Sequence, residues 1–443
     1  MPSRRASTRR AVVRLAAPAA LCVALSACSL IGTGSVEPPK AGTGKASGSV
    51  TVWDYYGSAT PIKPAIAAFE KAHPEIKVNY QAYDYDTMQD KLSVSISSGS
   101  APDLATADMT WVPTYAANGA LADLSKISGG KVNGQPIEEQ YTPGGLAAMS
   151  YQDHYVTALY DFDAYALYYR KDILDKKHLQ VPKTWDELRS VSAAMAEDTN
   201  GDGKPDKYAL QVLPDTFHYA QLLFQNGGAI LSPDQSKAAF GSTAGVSALE
   251  YMKSLLTSGG GLYWGVEQGD STGLPGIKDE RIGMFLNGPY MMGVLKDGAK
   301  EQSGRWAVAP APYSQQPGSY LGGTGLVIPT SAPNPSAAWV LAQFLLQPKQ
   351  QELVYTKAGA APATTAALAS PVLSAPDPYF GGVSEFPVFR TAMSTASPFP
   401  YVASWPDIDT ALTDAVTAVL INKATPGQAL DKAASRVDSA LAR

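Results

Sequence analysis

Acidic and aromatic side chains follow two predicted strands in the first quarter of the chain. Asp54, Tyr55 and Tyr56 come directly after the first strand, and Asp108 and Trp111 follow a later one. Aromatic ring faces stack on the apolar C–H faces of a sugar, while carboxylates accept hydrogen bonds from its hydroxyl groups. The combination predicts a surface that binds a carbohydrate, although each aromatic taken alone also fits an ordinary half-buried packing position.

The elements around these residues alternate between strand and helix. Strand patterns at 50–53 and 76–80 flank a helical pattern that places Ile62, Ile66 and Phe69 on one face. This order predicts a βαβ unit with parallel strands and a right-handed crossover. The alternation continues to the C-terminus, which predicts an α/β fold. Ligands of open parallel sheets bind beyond the carboxyl ends of the strands, so the acidic and aromatic residues are expected at one edge.

The N-terminus has the composition of an export signal. Five arginines and no acidic residue precede an apolar stretch that is shorter than the ~20 residues a membrane-spanning helix needs. Leu25-Ser26-Ala27-Cys28 resembles a lipobox, which implies cleavage before Cys28 and a lipid on that cysteine. Residues 1–27 are therefore the predicted signal peptide, and the Gly-, Ser- and Pro-rich 28–48 is a predicted flexible tether. Arg9-Arg10 also resembles a twin-arginine signal, so either export route is open.

Composition narrows the classes of partner. Of the two cysteines, Cys22 leaves with the signal peptide and Cys28 takes lipid, so no thiol remains for a disulfide, a metal or catalysis. Loss of five arginines takes the net charge from -5 to -10, which argues against nucleic acid as a partner. The remaining length suits two domains.

Seven short phrases occur in an order that resembles the extracellular solute-binding proteins of ABC importers, in the sugar-binding family that includes maltose-binding protein. One of them carries Thr184 and Glu187, which predict a helix N-cap with a capping box. The phrases are Phe69-Glu70-Lys71 with Pro74-Glu75-Ile76-Lys77-Val78, Ala101-Pro102-Asp103-Leu104, Gly119-Ala120-Leu121-Ala122-Asp123-Leu124, Ala166-Leu167-Tyr168-Tyr169-Arg170-Lys171-Asp172, Pro182-Lys183-Thr184-Trp185-Asp186-Glu187-Leu188, Phe285-Leu286-Asn287-Gly288-Pro289-Tyr290 and Gly322-Gly323-Thr324-Gly325.

The resemblance implies a two-lobed periplasmic-binding-protein fold of type II with a ligand cleft between the lobes. Lobe 1 would comprise 49–162 and 310–362, and lobe 2 would comprise 163–309 and 363–443. Hinge crossings are expected near 160–163, 309–312 and 361–365. It further implies a monomer that binds sugar, requires no cofactor, catalyses no reaction and delivers its ligand to a membrane permease at the outer face of the cytoplasmic membrane.

The resemblance also implies ligand contacts, to which composition adds four residues after the first two strands. The contacts carried over from the family are Asp108, Trp111, Asp161, Asp163, Asp215, Phe217, His218, Tyr290, Gly322, Gly323 and Trp405. The residues added on composition alone are Asp54, Tyr55, Tyr56 and Tyr83. In the family pattern, the two glycines bring backbone amides close to the ligand.

A segment between a predicted helix and strand has the spacing of a calcium loop. Asp198, Asn200, Asp202 and Asp206 occupy oxygen-ligand positions around a glycine, but Ala209 stands where an EF-hand needs a bidentate glutamate. Either a structural calcium ion or an ordinary Asp/Asn/Gly turn accounts for the pattern.

Two other functions remain open at this point. An exported polysaccharide-active hydrolase needs paired carboxylates, which an acid-rich cleft contains, although no nucleophile or zinc motif is present in the sequence. The other is a binding protein for a polyol phosphate, a peptide, a polyamine or ferric iron, and Tyr55-Tyr56 offers the tyrosinate ligands that ferric iron needs. The predicted loops offer almost no Arg or Lys for a phosphate ester.

Overall fold

The computed structural model describes residues 46–55, 62–268 and 271–443. The predicted signal peptide, Cys28, most of the predicted tether and Tyr56 lie outside these residues. Within them, no helix is both long enough and apolar enough to cross a bilayer.

The strands of the described residues vary in length. They are β1 (Gly48–Asp54), β2 (Ile76–Ala82), β3 (Leu104–Asp108), β4 (Lys131–Val132), β5 (Gln135–Pro136), β6 (Ser150–Tyr151), β7 (His154–Tyr155), β8 (Ala158–Asp163), β9 (Ala166–Arg170), β10 (Tyr208–Val212), β11 (Gly261–Tyr263), β12 (Ile282–Asn287), β13 (Trp306–Ala309), β14 (Ser319–Val327), β15 (Ala361–Pro362) and β16 (Ala396–Pro398). In the described residues, β1 and β2 have seven residues each and β14 has nine, and the other strands are shorter.

Helices fill most of the chain between these strands. They are α1 (Lys63–Ala72), α2 (Tyr85–Ser98), α3 (Val112–Ala117), α4 (Leu124–Ser128), α5 (Ile137–Gln140), α6 (Pro143–Met149), α7 (Lys171–Lys177), α8 (Trp185–Met195), α9 (Thr216–Gln225), α10 (Thr243–Thr257), α11 (Leu274–Lys278), α12 (Met291–Gly298), α13 (Pro335–Leu345), α14 (Pro348–Ala358), α15 (Thr365–Leu368), α16 (Phe386–Ser394), α17 (Trp405–Leu420) and α18 (Pro426–Leu441), with short 3-10 turns at Val266–Gln268, Lys300–Gln302, Pro371–Ser374 and Pro378–Phe380.

The described strands form two main sheets, and the predicted α/β fold is confirmed. The first sheet has the order β15-β8-β14-β3-β1-β2, with β16 paired to β14. Its β1 and β2 are parallel, as predicted, but β14 runs antiparallel to both β3 and β8. The second sheet has the order β11-β10-β12-β9-β13 and is also mixed. The sheets are therefore only partly parallel. The antiparallel strands are those at which the chain crosses over: β9 enters the second sheet from the first, and β14 enters the first sheet from the second.

Each sheet has its own hydrophobic core. One cluster surrounds the first sheet and includes Ile66 and Phe69 of α1, the predicted buried face. Two clusters lie against the second sheet, one with Leu167 and the other with Tyr168 of β9. Because neighbouring strand residues point to opposite faces, this division shows that β9 is covered on both sides. We call the first sheet with its cluster the first lobe, and the second sheet with its two clusters the second lobe.

The chain passes between the two sheets at a few short connections. Ala164 and Tyr165 separate β8 from β9, and residues 310–318 separate β13 from β14. After β15 the chain leaves the core of the first lobe, and Phe380 and Phe389 pack in the second. These connections lie at or beside the predicted crossings. Short extended segments of this kind allow two packed bodies to rotate with few backbone changes.

Local helix signals in the sequence are mostly confirmed. Thr184 caps α8 by accepting a hydrogen bond from the Glu187 N–H at 3.2 Å. The reciprocal half of the predicted capping box is wrong, because the Glu187 carboxylate accepts from the Lys183 N–H at 2.7 Å instead. A complete capping box forms at Thr425 and Gln428 of α18.

Candidate functional site

Three strands bring two predicted acids onto one face of the first sheet. Asp108 of β3 and Asp161 of β8 both lie in register with Thr324 of β14, which runs between their strands. Side chains of directly paired residues project to the same face of a sheet. A β-bulge between Thr324 and Gly325 adds one residue to β8, and this re-aims Asp161 toward that face. Asp108, predicted from a strand end, and Asp161, carried over from the family resemblance, therefore share one surface.

Asp161 has an unusual combination of burial and missing partners. Its side chain is 4 % exposed, and its Oδ1 accepts a 2.8 Å hydrogen bond from the Thr324 N–H. Within the described part of the chain, its Oδ2 atom accepts no hydrogen bond. Burial, followed by the nearby Asp163 carboxyl, holds the pKa of Asp161 well above its usual range. A buried carboxyl oxygen without a donor is costly, and a ligand hydroxyl or amine would satisfy it.

Asp163 lies between the two lobes. Its Oδ2 accepts a 3.0 Å hydrogen bond from the Tyr320 hydroxyl, while a Cβ on Gly288 would stand 1.7 Å from its Oδ1. Glycine at 288 is therefore required by the Asp163 carboxyl, a constraint that the Asn-Gly-Pro phrase carries in the sequence. Burial raises the pKa of Asp163 to about 7, and Asp108 adds to that rise.

Asp54 is fully buried beneath this face. It accepts hydrogen bonds from the Tyr80 hydroxyl at 2.6 Å and from the Thr106 hydroxyl at 3.0 Å. Burial raises its pKa to about 6. These contacts give Asp54 a place in the interior of the first lobe, from which it supports Tyr55 next to it.

Tyr55, Tyr85 and Trp111 form an aromatic group beside the acids, which we call the aromatic trio. The Tyr85 and Trp111 ring centres are 4.7 Å apart, and Tyr55 lies 5.4 Å from Tyr85 and 5.5 Å from Trp111. The Tyr55 hydroxyl is 2.6 Å from Thr324 Oγ1, which ties the trio to the row of acids. Sequence reasoning missed Tyr85, although it begins α2 directly after the cap residue Asp84.

Tyr83 was predicted with this group but has other neighbours. Its ring packs edge-on against Trp53 at 5.5 Å, and Lys91 Nζ lies 5.0 Å from the ring centre. The Tyr83 hydroxyl donates to Gln81. The structure therefore places Tyr83 in a separate pair with Trp53, because residues 83 and 85 stand on either side of the start of α2.

The second lobe contributes a paired acid and base. Asp215 caps α9, and both of its carboxylate oxygens are 2.9 Å from His218 Nδ1. His218 Nε2 is 2.9 Å from the Leu286 carbonyl, so the imidazolium form satisfies both acceptors. Burial alone would lower the pKa of His218, but Asp215 and the carbonyl outweigh it and the pKa is raised. An acceptor at each ring nitrogen favours the protonated form of His218, and Asp215 is placed to match its charge.

Sequence reasoning missed two polar residues of the second lobe that lie near Asp108. Burial raises the pKa of Asp409 to about 6, and the carboxylates of Asp215 and Asp108 raise it further. Asp108 also raises the pKa of Tyr401, after the larger effect of burial. Asp409 stands in the apolar stripe of α17 between Ile408 and Leu412, and an acid in such a stripe was the available signal.

Two of the remaining predicted aromatics, Phe217 and Trp405, lie in a core aromatic stack that also contains Tyr320 and Phe399. Phe399 contacts all three others, with ring centres 5.3, 4.8 and 4.8 Å away. Trp405 is 2 % exposed and belongs to the core cluster of this lobe. The structure thus places Trp405 among core residues, because it begins the long helix α17. Tyr290 directly precedes α12 as its N-cap residue and is partly exposed.

The predicted reason for Gly322 and Gly323 differs from the observed packing. A Cβ on Gly322 would meet the Tyr320 ring at 2.6 Å, and one on Gly323 would meet the Asp161 carbonyl at 2.2 Å. Gly323 also has a φ of 149°. Both glycines are required by contacts within the protein, so the prediction that they approach a ligand is not needed to explain them.

The calcium-like loop makes hydrogen bonds to itself. Asp198 accepts from the N–H groups of Gly201 and Gly203, and Asp206 accepts from Thr199. Among the described residues, no group of three or more His, Cys, Asp or Glu side chains is arranged to hold a metal ion. The turn interpretation accounts for these bonds, and calcium binding at this loop stays a prediction.

Comparison with known proteins identifies the class. A family model described as bacterial extracellular solute-binding protein matches residues 64–379, and the chain belongs to this family. The binding-protein class that the resemblance implied is therefore confirmed.

Two relatives and one solved structure match this chain over most of its length. The chain is 23% identical over 427 residues to a galactooligosaccharide-binding protein of Bacillus subtilis, with 94% of each chain covered. It is 24% identical over 358 residues to a maltooligosaccharide ABC transporter solute-binding lipoprotein of Streptococcus pneumoniae, covering 78% of this chain and 79% of that one. The GacH receptor of Streptomyces glaucescens superimposes with a TM-score of 0.79 at 23% identity, covering 90% of this chain and 99% of that one. This likeness confirms the predicted two-lobed fold.

Proposed function

We propose that this protein is the substrate-binding lipoprotein of an ABC importer and that it captures an oligosaccharide between its lobes. The observation that carries the proposal is the position of the aromatic trio beside Asp108 and Asp161, at the strand ends of the first lobe. Ring faces and hydrogen-bond acceptors on one surface match the apolar faces and hydroxyl rim of a sugar. The printed names of the relatives support the same ligand class, since they bind maltooligosaccharide and galactooligosaccharide.

The ligand would be enclosed by movement of the second lobe toward the first. Contacts already join the lobes near the site: the Tyr401 hydroxyl donates to the Leu321 carbonyl at 3.1 Å, and the Thr114 hydroxyl donates to the Ala403 carbonyl at 2.9 Å. These bonds are few and partly exposed, so they open at low cost. Rotation about the connections at 164–165 and 310–318 would expose the acids and the trio to ligand.

Binding is tested by a thermal-shift screen of the mature protein against neutral mono- and oligosaccharides. A ligand at a hundredfold excess over its Kd stabilises the folded state by about 2.7 kcal/mol, which raises the melting temperature. Small-angle scattering with the strongest hit should show a smaller radius of gyration. Absence of any shift across linear and cyclic glucans and galactans would overturn the sugar assignment.

The proposed function includes no catalysis, and the sample used for the binding measurements also tests whether the sugar is hydrolysed. A retaining or inverting hydrolase needs two carboxyls at a set distance across the scissile bond, and several carboxyls lie in this site. Oligosaccharide recovered after prolonged incubation should be chemically unchanged by mass spectrometry. Shortened products that disappear in the Asp161→Asn variant would favour the hydrolase.

Anchoring by Cys28 lipid is part of the proposal, and the family's extracellular location supports it. Cells that express Cys28→Ala should release the protein into the medium and incorporate no labelled palmitate into it. Cys22→Ala is the matched control, because residue 22 leaves with the predicted signal peptide. Equal membrane retention of both variants would contradict the lipid anchor.

A further inference from the structure

The interlobe site has an excess of acid. Asp108, Asp161 and Asp163 belong to the first lobe, and Asp108 acts electrostatically on Asp409 of the second. The charged groups that act most strongly on Asp161, Asp163 and Asp409 are other aspartates and His218. Among the described residues, no lysine or arginine is one of the groups that act most strongly on these carboxyls. A neutral sugar supplies dipoles to such a site but no compensating charge.

In the described part of the chain, the cation that acts most strongly on these carboxyls is His218, and it is already paired with Asp215. His218 Nδ1 lies 2.9 Å from both oxygens of Asp215, and its second nitrogen is held by the Leu286 carbonyl. His218 therefore offsets the charge of Asp215 and leaves the other acids with little compensation. Its side chain is 9 % exposed, so the pair is fixed within the second lobe.

Asp161 supplies an independent sign of a missing partner. Its side chain is more than nine-tenths buried, and, among the residues the structure describes, its Oδ2 has no hydrogen-bond donor. Register with Thr324 aims this side chain at the face where the Tyr55 hydroxyl meets Thr324. A buried acceptor aimed at a ligand surface, with aromatic rings beside it, has the components of an ammonium site, since cations also bind aromatic faces.

We propose that the natural ligand is an oligosaccharide that contains an amino sugar, with its protonated amine placed among Asp108, Asp161 and Asp163. The inference rests on the proposed function and names the class of sugar. The ammonium donates to the unpartnered Asp161 oxygen and stabilises the ionised form of the carboxyls around it, while the sugar ring stacks on the aromatic trio.

The test is calorimetric titration of the mature protein at pH 7 with two matched sets. One set is the trimer of β-1,4-linked glucosamine with its N-acetylated and 2-hydroxyl counterparts, and the other is maltotriose with an amino-deoxy derivative. The amine should bind at least 10-fold more tightly than its neutral counterpart in at least one set. Asp161→Asn should remove that preference, so that the amine and its neutral counterpart bind this variant with affinities within about 3-fold of each other. Asp186→Asn, which removes an 83 % exposed carboxyl on α8, is the matched control and should change neither.

The outcomes separate the two proposals. Equal or tighter binding of the neutral sugars in both sets would overturn the amino-sugar assignment and leave the proposed function intact. Binding of spermidine with no binding of any saccharide, or no binding at all, would overturn both. Melting temperatures verify folding of each variant, and Asp108→Asn repeats the test if Asp161→Asn does not fold.

Discussion

Trp111 and Trp405 are equally buried but lie in very different surroundings. Each is 2 % exposed. Both belong to hydrophobic clusters, but Trp111 contacts Tyr55 and Tyr85, two partly exposed tyrosines on which Asp108 acts electrostatically, whereas Trp405 contacts Phe399. The comparison teaches that burial alone does not separate a ligand platform from a core residue. The chemical character of the neighbours does, because a ring that stacks on a sugar needs acceptors nearby and a core ring does not.

The largest effect should follow from Trp405→Ala. Removal of a buried indole should lower the free energy of unfolding by about 3–5 kcal/mol, since the cavity cannot fully collapse. Urea unfolding followed by fluorescence measures this loss, and the Kd of the remaining folded protein should change less than ~3-fold, or about 0.65 kcal/mol. Trp405→Phe is the milder control. Retained stability with lost sugar affinity would reverse the comparison and put Trp405 in the site.

Trp111→Ala should act mainly on binding. Loss of a buried aromatic anchor from a ligand site costs about 2 kcal/mol, which is a roughly 30-fold weaker Kd by titration calorimetry. Trp53→Ala is a matched control in the same lobe, because Trp53 pairs with Tyr83 outside the trio. If the two variants weaken sugar binding equally, the trio is not a distinct platform.

The stability of the unliganded protein should fall between pH 6 and pH 8. Burial raises the pKa values of Asp54 and Asp409 to about 6 and that of Asp163 to about 7. The folded state then binds more protons than the unfolded state, so stability is lost as pH rises through the raised pKa values. His218, whose pKa is also raised, acts in the same direction.

Asp163 alone should account for about 1.4 kcal/mol of that decrease, since its pKa lies within the interval. Differential scanning calorimetry at the two pH values measures it, and Asp163→Asn should flatten the dependence. Asp186→Asn should leave it unchanged, because its carboxyl is 83 % exposed. An unchanged fall in Asp163→Asn would show that the carboxyl is already ionised in the unliganded protein at pH 6.

The smallest effect should come from Thr184→Ala at the start of α8, because Thr184 belongs neither to the aromatic trio nor to the core aromatic stack. Loss of the N-cap hydrogen bond to Glu187 should cost about 1 kcal/mol of unfolding free energy and leave sugar affinity unchanged. Chemical denaturation gives the first quantity, and calorimetric titration gives the second. A change in affinity would mean that the start of α8 affects the binding site, although Thr184 is exposed on the surface of the second lobe.

Local elements and strand ends were accessible from sequence because short-range physics determines them. The stripe of Ile66 and Phe69 predicted α1, and the Asp-aromatic residues after β1 and β3 predicted one edge of the first sheet. Tyr85 and Asp409 were not found. Each lies on a helix, and its position near the site depends on the orientation of that helix, which sequence patterns do not give. The bulge beside Thr324 was equally inaccessible, because register depends on the partner strand.

The sequence by itself determined the α/β pattern, the family and the acidic and aromatic composition of the binding surface. These follow from periodicity, ordered phrases and residue chemistry along the chain. Only the tertiary structure decided that Trp111 joins Tyr55 and Tyr85 while Trp405 joins the core, and that His218 is matched by Asp215 while Asp161 is left with an unpartnered oxygen. The reason is physical: partners distant in sequence set the burial and the charge balance of a side chain, and only packing brings them together.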